Sequence, residues 1–240
     1  MPRARRLPFL QLLPLLTLAT PAGAQIDHLE LKWIRDSEEF VAIFRQTYAL
    51  AARAVEAQTA ALPRGTPWAV VLDVDETVLD NSPYQLERAA FRLPYDTASW
   101  NAWVRRERAE PLPGVRAFLD GVRRLGGRVV FITNRADGTA DETRRNLAAH
   151  GLWTDHDRLC PQTADRAHTK RARRDELRTG TGACAYAGQA VRVLAYLGDN
   201  IADIPEADEE PGELGVQWFV LPNPAYGSWE RRTTRGTRIR

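Results

Sequence analysis

Four near-continuous apolar runs constrain this chain more than any other feature. They occupy residues 68–72, 128–132, 191–197 and 216–221. Each has the length of a strand and is rich in Val, Ile, Leu and aromatic residues. None alternates polar with apolar, so both faces of each strand are expected to be covered, as in a parallel sheet. Helical patterns separate the runs. Phe40, Phe44, Tyr48, Ala51 and Val55 recur at helical spacing after a capping box at Asp36-Ser-Glu-Glu39, and that helix should stop near Leu62-Pro-Arg-Gly65. Further helices are expected over 115–125 and from a second capping box, Thr139-Ala-Asp-Glu142, to His150-Gly151. Strand–helix alternation of this kind predicts an α/β domain, a parallel sheet flanked by helices. Residues 25–65 read as a helical lead-in. Residues 81–112 carry Tyr84, Phe91, Tyr95, Trp100 and Trp103 without a clear strand, and read as a cap-like insertion near the carboxyl edge of the sheet. The Arg/Thr-rich stretch after Trp229 is expected to fray.

Residues 1–24 read as an export signal that is cleaved. Arg3, Arg5 and Arg6 precede a short apolar core, and Ala22-Gly-Ala24 supplies small residues for cleavage. The core is shorter than the ~20 residues a membrane span needs, and prolines interrupt it. The Arg5-Arg6 pair hints at twin-arginine export, although its surroundings suit that route poorly. The destination expected is the periplasm or the medium. No cysteine stands near the cleavage point to take a lipid anchor. The whole chain carries 33 basic against 31 acidic residues, a net charge of +2; without the three leader arginines the balance is −1. Nothing in that balance selects a nucleic acid as partner. Cys160 and Cys184 are the only cysteines, and in an exported protein they form either a disulfide or two buried thiols.

The chemistry is concentrated where the apolar runs end. In open α/β sheets ligands bind beyond the carboxyl ends of the strands. The first run ends in Asp73-Val-Asp75-Glu-Thr77, the second in Thr133-Asn134-Arg135, and the third in Gly198-Asp199-Asn200 with Asp203 close behind. Asp73 and Asp75 are too close to remain charged without compensation, and an oxygen-only donor set that includes Asp199 favours Mg²⁺. The Thr133 hydroxyl and a neighbouring backbone amide suit phosphate oxygens. Only two of the 33 basic residues are lysines, Lys32 and Lys170. Lys170 lies between the second and third clusters, where a compact cation can hold both a phosphate and a nucleophilic carboxylate. A carboxylate that attacks phosphorus divides hydrolysis into two steps, and a second carboxyl group can protonate the leaving oxygen and then activate water. Arg135 is compatible either with substrate contact or with pairing to a carboxylate. The four histidines show no metal-ligand spacing.

The set Asp73-x-Asp75-x-Thr77, Thr133, Lys170 and Gly198-Asp199-x-x-x-Asp203 resembles the phosphatase branch of the haloacid dehalogenase (HAD) superfamily. The longer run from Asp73 to Tyr84 resembles the class C acid phosphatases, the family of bacterial lipoprotein e(P4) and related 5′-nucleotidases. Similar runs at 33–39, 131–135, 197–200 and 221–230 extend the likeness over residues 29 to 230. The resemblance implies a HAD-like Rossmannoid sheet with a small, mainly helical cap. It implies an Mg²⁺-dependent phosphomonoesterase acting on nucleoside monophosphates or aryl phosphates, and a homodimer. Asp73 would be nucleophile and metal ligand. Asp75 would be general acid/base and bind the metal through its carbonyl, and Asp199 would be the third metal ligand. Thr133, Asn134 and Lys170 would hold the phosphate, with Asp203 and Thr77 one layer behind. Tyr48, Trp100, Trp103 and Tyr226 are candidates for an aromatic clamp on the organic part of the substrate. The missing lipid-attachment cysteine departs from the e(P4) pattern. Phosphoryl transfer to an alcohol, or phosphate-ligand binding without catalysis, are the alternatives on the same fold.

Overall fold

The computed structural model of the chain describes residues 28–231, apart from 187 and 207. The export segment 1–24 and residues 232–240 of the basic tail lie outside the described residues. Two helices lead in, α1 (Leu29–Asp36) and α2 (Glu38–Ala60), followed by the strand β1 (Trp68–Leu72). The next elements are β2 (Leu79–Asp80), α3 (Ser82–Ala90), α4 (Thr97–Val104), β3 (Glu110–Pro111) and α5 (Val115–Arg124). The remainder comprises β4 (Arg128–Ala136), α6 (Ala140–Ala149), β5 (Arg158–Gln162), α7 (Lys170–Thr179), β6 (Arg192–Gly198) and β7 (Trp218–Val220).

Five strands form a parallel sheet in the order β5-β4-β1-β6-β7. Strand β1 is central and buried at every residue. Its alternate side chains enter two cores. Val70 and Leu72 join Phe44, Tyr48, Phe118 and Leu147 beneath α2, α5 and α6. Ala69 and Val71 join Leu177, Val193 and Tyr196 on the side of α7. Burying each Val, Leu or Phe contributes about 1.5–3 kcal/mol, which accounts for the lack of alternation along β1. After β1 the chain adds β4 and β5 on one side, then returns to place β6 on the other. The crevice beyond the carboxyl end of β1 is therefore a topological switch point, the place where open α/β sheets bind ligands.

Several local expectations are corrected. Ser37, not Asp36, caps α2: its extended backbone lets Oγ accept from the Phe40 amide at 3.1 Å. Asp36 instead closes the separate helix α1, with its carboxylate taken by Lys32 at 2.7 Å. The Thr139 hydroxyl donates to the Ala136 carbonyl, so no capping box opens α6, and a 3₁₀ turn over Asp137–Thr139 leads into it. Strand β4 runs four residues beyond its apolar stretch and carries Thr133, Asn134 and Arg135 within it. Edge strand β5 was not anticipated. In the 81–112 segment, α3 and α4 form a small helical lobe, closed at its base by the two-residue antiparallel ladder Leu79↔Pro111 and Asp80↔Glu110.

Candidate active site

The loop after β1 begins at Asp73, whose amide still donates to the Leu197 carbonyl of β6 at 3.0 Å. That bond fixes the first carboxylate between two strand ends. Lys170, the first residue of α7, reaches it: Nζ donates to Asp73 Oδ1 at 2.6 Å and also to Asp203 Oδ1. The other oxygen of Asp203 accepts from the Asn200 amide at 2.9 Å, so Asp203 is fully engaged in holding the lysine. This contact depends on Gly198, since a Cβ there would lie 2.1 Å from the Asp203 Cβ. Asp199 is held from two sides, by Asn223 Nδ2 at 2.8 Å and Thr77 Oγ1 at 3.3 Å.

Carboxylate oxygens of Asp73, Asp199 and Asp203 all lie within 4.8 Å of one another. Three carboxylates surround one ammonium in a buried site, which leaves an excess of two negative charges. The electrostatics register this excess. Burial pushes the Asp73 carboxyl well above its usual range; Lys170 opposes the shift, and Asp203 and Asp199 add to it. Asp199 is pushed up to about 7, first by burial and then by Asp203, against the pull of Asn223 and Lys170. Burial works against the charge of Lys170, but Asp203 and Asp73 outweigh it and hold the ammonium raised. The Asp75 carbonyl oxygen accepts no hydrogen bond among the described residues. An oxygen donor set with two unbalanced negative charges fits a hard divalent cation.

Asp75 is handled differently. Its Oδ1 accepts from Arg135 Nε at 2.9 Å and from Asn81 Nδ2 at 2.9 Å, which turns the carboxylate away from the three-acid cluster. Arg135 is buried to 1% exposure, bonds Thr143 and Asn81 as well, and lies 5.8 Å from the centre of the Trp100 ring. The two readings of Arg135 are thereby resolved in favour of carboxylate pairing. Asn81 is positioned in turn by Trp103, whose indole donates to Asn81 Oδ1 at 2.8 Å.

Directly after Asp75, Glu76 adopts φ +54, an uncommon backbone for a residue with a side chain. Its carboxylate accepts from the Asn81 amide at 2.9 Å and from the Tyr226 hydroxyl. Burial, then Asp75 and Asp199, push this carboxyl well up. Glu76 thus ties the Asp73–Asp75 loop to the segment carrying Asn223 and Tyr226.

A cavity of about 740 Å³ opens onto the cluster, lined by Asp73, Lys170, Asp199 and Asn134. Trp100, Tyr95 and Tyr226 form its aromatic wall. Two of the four expected clamp residues do not reach it. Tyr48 is a core residue of α2 whose hydroxyl donates to the Thr77 carbonyl at 2.7 Å, and Trp103 packs beneath Asn81. Tyr95 takes part instead. Thr133 is fully buried, with Oγ1 accepting from the Arg135 amide at 3.1 Å. Arg173 lies behind this strand end and donates to the Thr133 carbonyl at 2.6 Å, Asn134 Oδ1 at 2.9 Å and the Cys160 carbonyl at 3.1 Å. The arginine-rich stretch around Lys170 is therefore partly internal scaffolding, with Arg174 paired to Glu209 in the same way. Both cysteines are free thiols, buried side by side between β5 and the loop after α7.

Comparison with known proteins bears on this geometry. Residues 18–229 match the family model of the HAD superfamily, subfamily IIIB (acid phosphatase). The chain belongs to this family. The class C acid phosphatase from Bacillus anthracis superposes with a TM-score of 0.71 at 28% identity, covering 84% of this chain and 85% of that one. The same enzyme with tungstate bound gives a TM-score of 0.70 at 27% identity. Among curated sequences, acid phosphatase 1 of Solanum lycopersicum is 26% identical over 156 residues, 65% of this chain and 57% of the relative. The stem 28 kDa glycoprotein of Glycine max is 26% identical over 161 residues, covering 58% of its length. The chain thus spans little more than half the length of these plant relatives. Within the subfamily IIIB acid phosphatases, its sheet order and switch-point site are those of a HAD-like fold.

Proposed function

We propose that this protein hydrolyses small organic phosphomonoesters through an aspartyl-phosphate on Asp73, with Mg²⁺ held by Asp73, Asp199 and the Asp75 carbonyl. The observation that carries the reading is the cluster of buried carboxylates around Lys170 at the carboxyl end of β1, facing an aromatic-walled cavity. The bound cation supplies charge compensation for the carboxylates and for the phosphate oxygens. Lys170 occupies Asp73 Oδ1, which leaves Oδ2 as the attacking oxygen. Attack forms an Asp73 Oδ2–P bond and breaks the P–O bond of the ester. Asp75 protonates the departing alkoxide, held on the leaving-group side by Arg135 and Asn81. As a carboxylate, Asp75 then takes a proton from water. The water oxygen attacks phosphorus and the acyl–phosphate bond breaks, restoring Asp73. Lys170 and Asn134, which line the cavity, hold the phosphate oxygens, and Thr133 is buried directly behind them at the same strand end. The class C acid phosphatase from Bacillus anthracis has been crystallised with tungstate bound, a tetrahedral oxyanion shaped like phosphate, which is in keeping with this reading.

Trp100, Tyr95 and Tyr226 favour substrates with a planar organic part, which include nucleoside monophosphates and aryl phosphates. Residues 1–24 support export with cleavage after Ala24. N-terminal sequencing of the protein recovered from the periplasm or medium tests this: Gln25 is the expected first residue, and an intact leader on that protein contradicts it. For the chemistry, phosphate release from p-nitrophenyl phosphate is expected with Mg²⁺, is expected to stop with chelator, and is expected to be absent in folded Asp73→Asn. Turnover by Asp73→Asn would remove the nucleophile assignment.

A further inference from the structure

A second group of donor atoms stands apart from the catalytic cluster. His168, Glu176 and Cys184 each place one donor atom within 4.8 Å of the others. His168 precedes α7, Glu176 lies on its second turn, and Cys184 lies in the loop that follows it. His168 Nε2 is 3.1 Å from Glu176 Oε1. The other carboxylate oxygen accepts from the Cys184 amide at 2.9 Å, which aims Oε1 at the histidine and brings the thiol alongside. The second ring nitrogen of His168 faces Thr163 Oγ1 at 3.5 Å, as when a ligating imidazole is oriented by a partner on its far side. Gly182, at φ +76, makes room for the carboxylate: a Cβ there would lie 2.3 Å from Glu176 Cδ. Side-chain exposure is 14% for His168 and 24% for Glu176, and His168 and Cys184 line, with Cys160, a cavity of about 460 Å³.

We propose that His168, Glu176 and Cys184 form a zinc site. One imidazole, one carboxylate and one thiolate are the donors Zn²⁺ takes in tetrahedral sites, and bonds of about 2.0–2.3 Å place neighbouring ligand atoms ~3.3–3.8 Å apart. The His168–Glu176 separation of 3.1 Å lies just short of that range, and the Cys184 thiol lies within 4.8 Å of both. Water from the adjoining cavity completes the tetrahedron. Cys160, in the same pocket but outside the three-atom group, stays a thiol beside the bound ligand. Zinc here would clasp the loop before α7 to the loop after it, two residues from Lys170. The bound ion would therefore brace the helix that presents the phosphate-binding lysine.

The test uses the full protein under reducing conditions with saturating Mg²⁺, titrated with Zn²⁺ and, separately, with Co²⁺. The expected result is one tightly held Zn²⁺ per chain and, with Co²⁺, the near-ultraviolet sulfur-to-cobalt charge-transfer band of a thiolate ligand. Folded Cys184→Ser is expected to lose the band. His168→Gln is expected to weaken Zn²⁺ binding by at least tenfold, while Asp199→Asn and Cys160→Ser retain both signals. Zinc is expected to raise the unfolding temperature of the unaltered protein and not that of Cys184→Ser. Absence of the band, a band retained in Cys184→Ser, a band lost in Cys160→Ser, or a signal lost in Asp199→Asn would each overturn the site. Cys160 and Cys184 found joined as a disulfide in the protein as isolated would overturn it as well.

Discussion

Gly198→Ala is a one-carbon change that tests how the site is held. Gly198 ends β6 directly before Asp199, and the added Cβ would lie 2.1 Å from Asp203 Cβ and 2.3 Å from its Oδ2. Ordinary carbon–carbon contact is about 3.5–4 Å, so Asp203 must retreat by roughly 1.5 Å. Asp203 holds Lys170, and Lys170 holds Asp73 at 2.6 Å, so the displacement passes through two charge-assisted bonds to the carboxylate proposed as nucleophile. A misplacement of about 1 Å at a reacting group costs on the order of 10²-fold in rate. That equals about 2.7 kcal/mol of transition-state stabilisation. Overpacking adds roughly 1–3 kcal/mol of destabilisation, which leaves a domain of this size folded. Steady-state hydrolysis of p-nitrophenyl phosphate with saturating Mg²⁺, together with thermal unfolding, separates the two effects. The expected outcome is a folded protein whose kcat/KM falls by about 10²-fold. Unaltered kcat/KM in Gly198→Ala would refute the claim that Asp203, acting through Lys170, positions Asp73.

Two further predictions concern the metal and the substrate. The Asp199 carboxyl titrates near 7 in the metal-free fold against 3.8 unfolded, so the proton is held more tightly when folded. Its contribution to metal-free stability is therefore complete below about pH 4 and is lost as pH rises through 7. Mg²⁺ offsets that loss, so the rise in unfolding temperature it causes is expected to grow from pH 4 to pH 8; a constant rise across that range would contradict the assignment. Tyr95 is 64% exposed and lines the cavity, so Tyr95→Ala is expected to change stability by less than about 0.5 kcal/mol. Base or phenyl stacking is worth about 1–3 kcal/mol, so its KM should rise at least about fivefold for aryl phosphates relative to a small alkyl phosphate. Equal changes for both substrates would remove Tyr95 from the clamp.

What was legible in the sequence follows from where each residue's partners lie. Strands β1 and β4 were readable because burial on both faces demands apolar residues in succession, and that demand is local. Strand β5 was not, because an edge strand built as Arg-Leu-Cys-Pro-Gln carries no such run. Asp73, Asp75 and Asp199 stood out because acids directly after buried apolar runs are conspicuous, and Lys170 because lysine is rare in this chain; the fold brings Asp73, Lys170 and Asp199 together. Asn81, Glu76, Arg173 and Asn223 were not, because each acts by holding another side chain or a distant backbone group, and their partners are set by tertiary packing. Asn223 reaches back 24 residues to Asp199, and Tyr226 reaches back 150 to Glu76. Tyr48 fitted either a core or a clamp, because an aromatic residue at helical spacing looks the same whether it faces a core or a cavity; its burial and its hydroxyl bond to Thr77 place it in the core.

The central claim is that Asp73 carries the phosphoryl group. Rapid acid quench of the Mg²⁺-loaded protein during turnover of a ³²P-labelled phosphomonoester, followed by digestion and mapping, addresses it directly. The account predicts a hydroxylamine-sensitive label on the peptide containing Asp73, which accumulates further when Asp75 is changed to Asn with a good leaving group. Turnover without any labelled protein, or label confined to a histidine or serine peptide, would contradict it.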